Sequence, residues 1–328
     1  MTTSTLKRPG LGLTMLTNGV ATVAILYVVL YVVYSRVEAD ALTASTFSDL
    51  VNNATPLAIA AAGATLVILC RGFDLSVAGV LSLVNVVLAT HPMDGASGAL
   101  ASMAIAIAIG CVVGFLNGLL VAYGGLQSIA VTLAMMIITR GLALVILDAP
   151  GGNVSDWISE TLTNSIGGVV PASGLVVVAV AILWAIFRRT DVCVALYAVG
   201  KDQTAAALSG IDVKRTKCIT FVLAGALYGL AGFMLSAQTA SGDPNAGNSL
   251  MILVFASVAL GGTAFSGGHG GLYGSMIGAA TLMLLQKVLF SSGLQSFYIG
   301  LFQGLVMITA VVFVNAVTYV ARRSRDHA

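Results

Sequence analysis

This chain is short of charge: only 9% of its 328 residues are Asp, Glu, Lys or Arg, against 58% that are hydrophobic. A soluble domain of this length could not hide so much apolar surface, so the composition excludes a water-soluble enzyme or a nucleic-acid-binding protein and leaves a polytopic membrane protein. Cysteine is scarce as well. Cys70, Cys111, Cys193 and Cys218 fall within expected helices or one basic loop, with no spacing that implies a disulfide framework. His91, His269 and His327 are scattered with no partner at metal-ligand spacing, so no metal site is expected. A phosphate-cradling GxxxxGK[ST] loop is missing too. Gly200-Lys201 is followed by Asp202, and Ala195 stands where the first glycine belongs. The chain is therefore not expected to hydrolyse ATP, and with no nucleophile, base and acid in one constellation it has no candidate catalytic residue.

What it does have is long apolar runs. At about 20 apolar residues per crossing, about ten spans are expected, roughly at 16–35, 50–70, 74–91, 98–122, 127–147, 169–187, 217–237, 249–264, 270–290 and 297–320. The first follows Lys7-Arg8 as a signal peptide would, but it is too long and lacks a small-residue cleavage site, so it is read as a helix. Basic residues gather in alternate connections: Lys7 and Arg8, then Arg188, Arg189, Lys201, Lys214, Arg215 and Lys217, then Arg322, Arg323 and Arg325. The opposite loops collect Glu38, Asp40, Asp49, Asp94, Asp148, Asp156, Glu160 and Asp243, with Arg36 the odd basic residue. The Lys/Arg bias puts both termini in the cytoplasm.

The basic stretch 188–216 joins two apolar halves, 16–187 and 217–320, of what reads as a single transmembrane domain covering 1–328. Asp202 to Leu208 is Ala-rich and helix-prone, and Ser209-Gly210 is a natural helix stop. A short helix held at the membrane surface between two halves is what a transporter needs to receive force from an ATPase. The second to fifth and seventh to tenth spans would run in opposite senses, the topology of an inverted repeat. Gly110 with Gly114, Gly225 with Gly229, and Gly274 with Gly278 have the four-residue spacing that lets helices approach closely in lipid.

Several segments carry a family likeness. They are Gly72-Phe73-Asp74-Leu75-Ser76-Val77; Asn117-Gly118-Leu119-Leu120 with Val131-Thr132-Leu133 and Arg140-Gly141-Leu142; Tyr197-Ala198-Val199-Gly200 with Ala206-Ala207-Leu208-Ser209-Gly210-Ile211; and Pro244-Asn245-Ala246-Gly247 with Leu260-Gly261-Gly262-Thr263. Over about residues 50 to 315 the chain resembles the ribose/xylose/arabinose-type permease subunits of bacterial ABC sugar importers. The departures are Arg71 and Ala78 where the signature has glycine, Gln127-Ser128-Ile129-Ala130 in place of a proline, and no carboxylate in 248–256.

The resemblance implies an all-α permease in the bacterial inner membrane that translocates a monosaccharide. It also implies a separate, tandem-domain ABC ATPase that carries the ATP and Mg²⁺, a periplasmic sugar-binding protein, and a second copy or a related permease. This chain itself would bind no cofactor. Coupling to the ATPase falls to Asp202, Ala206, Ala207, Leu208, Ser209, Gly210 and Ile211. Asp74, Ser76, Asn85, Asn117, Thr132, Arg140, Gln286 and Gln303 are candidates for the pathway or substrate. Asp74 reads first as the N-cap of the third span, which is compatible with a pathway role, and Arg140 reads equally as a structural pairing. Lys287 is read as snorkelling to the interface. Ser155, Trp157, Asp243 and Asn245 are candidate contacts for the binding protein, with Trp157, Ile158 and Leu162 suggesting a short amphipathic helix at the interface. An ion-coupled secondary transporter and an ABC permease for a branched-chain amino acid are the alternatives.

Overall fold

The computed structural model describes residues 19–293 together with 298, 300, 301, 304, 305 and 308. The helices are α1 Gly19–Val37, α2 Ala44–Leu69, α3 Val77–Thr90, α4 Gly95–Gly118, which runs on as a π-turn Leu119–Tyr123, and α5 Ser128–Ile146. Next come a short α6 Asp156–Thr163 and a two-stranded hairpin, β1 Ser165–Ile166 paired antiparallel with β2 Val170–Pro171. α7 Ala172–Phe187, α8 Asp191–Lys201, α9 Gln203–Leu208, α10 Val213–Thr239, α11 Ala246–Leu260 and α12 Leu272–Ser291 complete the order. Among the described residues six helices are long and apolar enough to cross a membrane, or seven if the α7–α8 pair, bent by 82°, is one span. The chain is an all-α, multi-pass membrane protein.

Helices stand at nine of the expected spans, with shifted ends; the tenth, 297–320, lies mostly outside the described residues, as do Lys7, Arg8 and the basic tail. α2 begins earlier than 50 because Thr43 caps it, its hydroxyl accepting from the backbone N–H of Thr46 at 3.3 Å. α10 begins at Val213, where the Asp212 carboxylate accepts from Arg215 N at 2.9 Å. The expected single helix in the basic loop is two. Thr190 caps α8, and a second cap at Asp202 starts α9.

The connections sort by charge. At one end lie α8, α9, the turn after α2 and the loop after α11, tied by Gly268 N to Leu69 O at 2.9 Å and the Arg71 side chain to Ser266 O at 3.0 Å. The first residue of α1, Gly19, is here too, against Gly262. At the opposite end Gly151 bridges Gly242, Ser155 reaches Asp94, Ser165 reaches Ser48, and Ser291 reaches Glu38. These are the basic and acidic ends. α2 runs from the acidic to the basic end and α10 the other way.

α2 is the central element, buried along almost its whole length, whereas α1, α5 and α7 turn valines, isoleucines and leucines outward. In lipid an apolar outer face gains nothing by association, so packing depends on close approach. At the α4–α10 crossing the backbones touch: a Cβ on Gly110 would sit 1.9 Å from the carbonyl oxygen of Gly225. Gly247 at the start of α11 meets α3 the same way, 1.9 Å from the oxygen of Ala78, and its N–H donates to Ser82 Oγ at 3.0 Å. A side chain at either position would force the helices apart.

Candidate functional site

Two helices too short to span, α3 and α11, pack on each other in the middle of the molecule, and each is entered through a polar turn. At the basic end the Asp74 carboxylate accepts from the backbone N–H of Ser76 at 3.0 Å and from its hydroxyl at 2.5 Å. Asp74 is therefore not the N-cap of α3; Ser76 holds that place. Asn117 of α4 donates to Ser76 Oγ at 2.9 Å. From α5, Ser128 Oγ and Thr132 Oγ1 accept from the N–H groups of Phe73 and Leu75 at 3.1 and 3.0 Å. Asp74, Ser76, Asn117 and Thr132 thus form one buried knot holding α3, α4 and α5 together. Asp74 Oδ2, Asn117 Oδ1 and the Tyr228 hydroxyl are buried without a hydrogen-bond partner among the described residues. Such atoms are costly in a dry interior, and they mark the least apolar point of the helix crossing.

The turn at the acidic end repeats the device. Asp243 Oδ1 accepts from Asn245 N at 2.8 Å, and Asn245 Oδ1 accepts from Arg140 of α5 at 2.8 and 3.1 Å. Asn85, inside α3, closes the arrangement. Its Oδ1 accepts from Asp243 N at 2.6 Å, and its Nδ2 donates to Ser236, Thr239 and the Ser241 carbonyl. Arg140 is exposed on this chain.

Beside this turn a cavity of about 990 Å³ opens at the acidic end. Its polar wall is Asn53, Gln238, Thr239, Ser241, Ser249 and Gln286, with Asp243 and Lys287 as the charged groups; Leu57, Leu250, Leu253 and Met283 supply apolar surface. Lys287, near the outer end of α12, stands on the wall of this cavity. Of the eight pathway candidates Gln286 lines this cavity, the basic knot takes four, Asn85 and Arg140 hold the acidic turn, and Gln303 lies outside the described residues. The sequence reading missed Asn53 and Gln238, which bond each other at 2.5 Å. No residue in 248–256 puts a carboxylate into the cavity, but Ser249 offers a hydroxyl there.

α6 forms at the expected amphipathic segment, with Ile158 buried and Trp157 39% exposed. Ser155 is buried, its hydroxyl donating to Asp94 at 2.6 Å. Of the four candidate contacts Trp157 and Asn245 are exposed and Asp243 is half-buried.

At the basic end α8 and α9 lie across the helix ends. The Asp202 carboxylate accepts from Thr204 N and Ala205 N at 2.8 and 3.0 Å. These N–H groups, first that of Ala205, hold its pKa below the ordinary Asp value, aided by Arg71. α8 is fastened by Tyr197, whose hydroxyl donates to Gly270 O at 2.7 Å, and Gly200 rests on the Leu69 carbonyl. Burial raises the Tyr197 pKa. Ala206 faces inward; Ala207, Leu208, Ser209 and Gly210 face out, Leu208 by 85% and Val194 of α8 by 62%. Leu208 and Val194 give the two short helices an apolar, outward ridge at this end.

A family profile described as "Branched-chain amino acid transport system / permease component" matches residues 46–311. The ribose import permease protein RbsC of Escherichia coli (strain K12) is 32% identical over 292 residues, 88% of this chain and 91% of the relative. The protein of that name from Bacillus subtilis (strain 168) is 35% identical over 257 residues, 76% of this chain and 78% of the relative. The D-allose transport system permease protein AlsC of Escherichia coli (strain K12) is 32% identical over 272 residues, 82% and 83% of the two chains. No solved structure matches.

Proposed function

The chain belongs to the family described as the permease component of branched-chain amino acid transport systems, and from that footing we propose that it is the membrane-spanning permease of an ABC importer for a neutral monosaccharide. The observation that carries the substrate class is the cavity at the acidic end. Amides and hydroxyls of Asn53, Gln238, Thr239, Ser249 and Gln286 can donate to and accept from sugar hydroxyls, and apolar side chains between them suit the C–H faces of a pyranose or furanose. The relatives named for ribose and allose support a sugar over an amino acid.

In this reading the basic end faces the cytoplasm, both termini are cytoplasmic, and ten helices arranged as an inverted repeat cross the bacterial inner membrane. The antiparallel senses of α2 and α10 support that arrangement. The exposed ridge of Leu208 and Val194 docks on a tandem-domain ATPase, which holds the ATP and Mg²⁺. An extracytoplasmic binding protein delivers substrate onto α6 and the Asp243–Asn245 turn. A second copy of this chain, or a related permease, completes the pore across the lipid-like outer faces.

Reconstitution with the cognate ATPase and binding protein tests the proposal. Ribose or allose delivered by the binding protein is expected to stimulate ATP hydrolysis and ATP-dependent uptake. Leu208→Asp is expected to abolish uptake and co-purification of the ATPase while leaving insertion intact. Uptake by the permease alone, driven by an ion gradient, would falsify the assignment; uptake of leucine in preference to sugars would transfer it to amino acids.

A further inference from the structure

A second cavity, of about 640 Å³, lies at the basic end between α9, the start of α10, the turn after α2 and the π-turn linker to α5. Arg71, Lys214 and Lys217 line it, and no carboxylate does among the described residues. Two acids flank it outside the lining: Asp202 caps α9 and also interacts with Arg71, and Asp212 caps α10, so the three cations outnumber them. Three cations therefore face one space of a size that suits a small ligand. Arg71 uses one of its donors on Ser266 and Lys217 one on Gln203 at 3.0 Å, which fixes both side chains at the cavity rim.

Arg71 is also conformationally costly where it stands. Its φ of 64° is in the left-handed region that glycine occupies freely and other residues disfavour. A strained, cationic residue at the rim of a cationic cavity is hard to explain by packing alone. Beside the neutral polar Gln127, Ser128, Gln203, Thr204 and Thr220, the walls include apolar Val67, Val121, Leu126 and Phe221, and Leu126 is 52% exposed next to Leu119, Leu120 and Tyr123 on the outward face of the π-turn. The cavity thus joins a cationic lining to the apolar outer surface of the helices.

We propose that this cavity binds the phosphate headgroup of an anionic phospholipid, with Arg71, Lys214 and Lys217 on the phosphate and the acyl chains lying along the π-turn and α10. A free anion would need the cations but not the apolar walls open to the bilayer side. A basic pocket between transmembrane helices suits such a headgroup. The assignment of this end to the cytoplasmic leaflet rests on the orientation proposed above; the binding itself does not. Since Gln203, Thr204 and Ala207 of α9 also line the cavity, the lipid would brace the helix that meets the ATPase.

The test uses the full chain in neutral detergent, read by native mass spectrometry and by thermal unfolding. Phosphatidylglycerol is expected to stay bound and to raise the melting temperature, while phosphatidylcholine, inorganic phosphate and ATP do neither. At the scale set for basic residues near a charged lipid surface, each of Arg71→Gly, Lys214→Gln and Lys217→Gln should weaken phosphatidylglycerol binding about fivefold, and the triple variant on the order of a hundredfold. Arg71→Gly carries its own signature: it relieves a left-handed position but gives up the bond to Ser266, so lipid-free melting should change little while the lipid-induced shift shrinks. Equal retention of phosphatidylcholine, displacement of the lipid by phosphate or ATP, or unchanged binding in the single variants would each overturn the proposal. So would loss of all bound phosphatidylglycerol on adding the ATPase, which would give the cavity to that partner. If the triple variant does not fold, Arg71→Gly and the competition on the unaltered chain decide.

Discussion

The turns that open α3 and α11 are the same device in two settings. In each an aspartate accepts from the N–H two residues on, and the side chain at that third position bridges to a neighbouring helix: Ser76 to Asn117, Asn245 to Arg140. The difference is burial. Asp74 is 1% exposed and enclosed by α4 and α5, whereas Asp243 is half-buried on the wall of a cavity. One local solution to interrupting a transmembrane helix therefore serves two ends. Where it is sealed it holds helices together, and where it is open it presents polar groups to the space beside it. A third copy, Asp202 at the head of α9, is fully exposed and only starts a helix.

This gradient orders the effects of breaking each copy. Asp74→Ala should be the most damaging, because it strips the only acceptor from a buried N–H and from the Ser76 hydroxyl; about 2–3 kcal/mol of stability is expected to go, against about 1 kcal/mol for Asp243→Ala. Unfolding of both variants in mixed micelles measures the difference, and equal losses would show that burial is not what separates the turns.

A smaller effect sharpens the acidic copy. In a double-mutant cycle of Arg140→Ala and Asn245→Ala, a coupling of about 1 kcal/mol is expected for a charged, exposed hydrogen bond. Strict additivity would mean that the Arg140–Asn245 contact is incidental.

The smallest effect belongs to Asp202. Its pKa is depressed in the folded chain, so its cap contributes fully above the ordinary Asp value of about 3.9 and is lost as pH falls through the lower folded value. Protection of the Thr204 and Ala205 amides, taken relative to their intrinsic exchange, should fall over that acid window, and Asp202→Ala should show the lower protection already above it, without moving global unfolding. Protection independent of both pH and the substitution would remove Asp202 as the cap.

The lengths of the apolar runs placed helices at nine of the expected spans, because each run is buried as a whole segment. The Ala-rich α9 and its stop at Gly210, where φ is 83°, were legible from propensity and glycine alone. α8 was not read, although Thr190 before Asp191 is a cap signal and Cys193, Leu196 and Val199 recur on one face; Arg188, Arg189 and Lys201 around it made the stretch look like a plain loop. Contacts such as Asn117 with Ser76 join different helices and leave no trace in local pattern. Nor does hydropathy say which way a helix faces when it is apolar all round. Lys287 and Gln286 could be placed along α12 but not on the wall of a cavity.

The fastening of α8 has a mechanical consequence. Tyr197 grips the chain just before α12, Gly200 bears on the last carbonyl of α2, and Gly268 N and Arg71 clamp those same two strands of backbone to each other. A load applied to α8 is therefore shared between two anchor points, one on each side of the basic loop in the chain. The handle and both of its mountings form a closed triangle of contacts. A torque entering there would bear on the end of α2 and the root of α12 together.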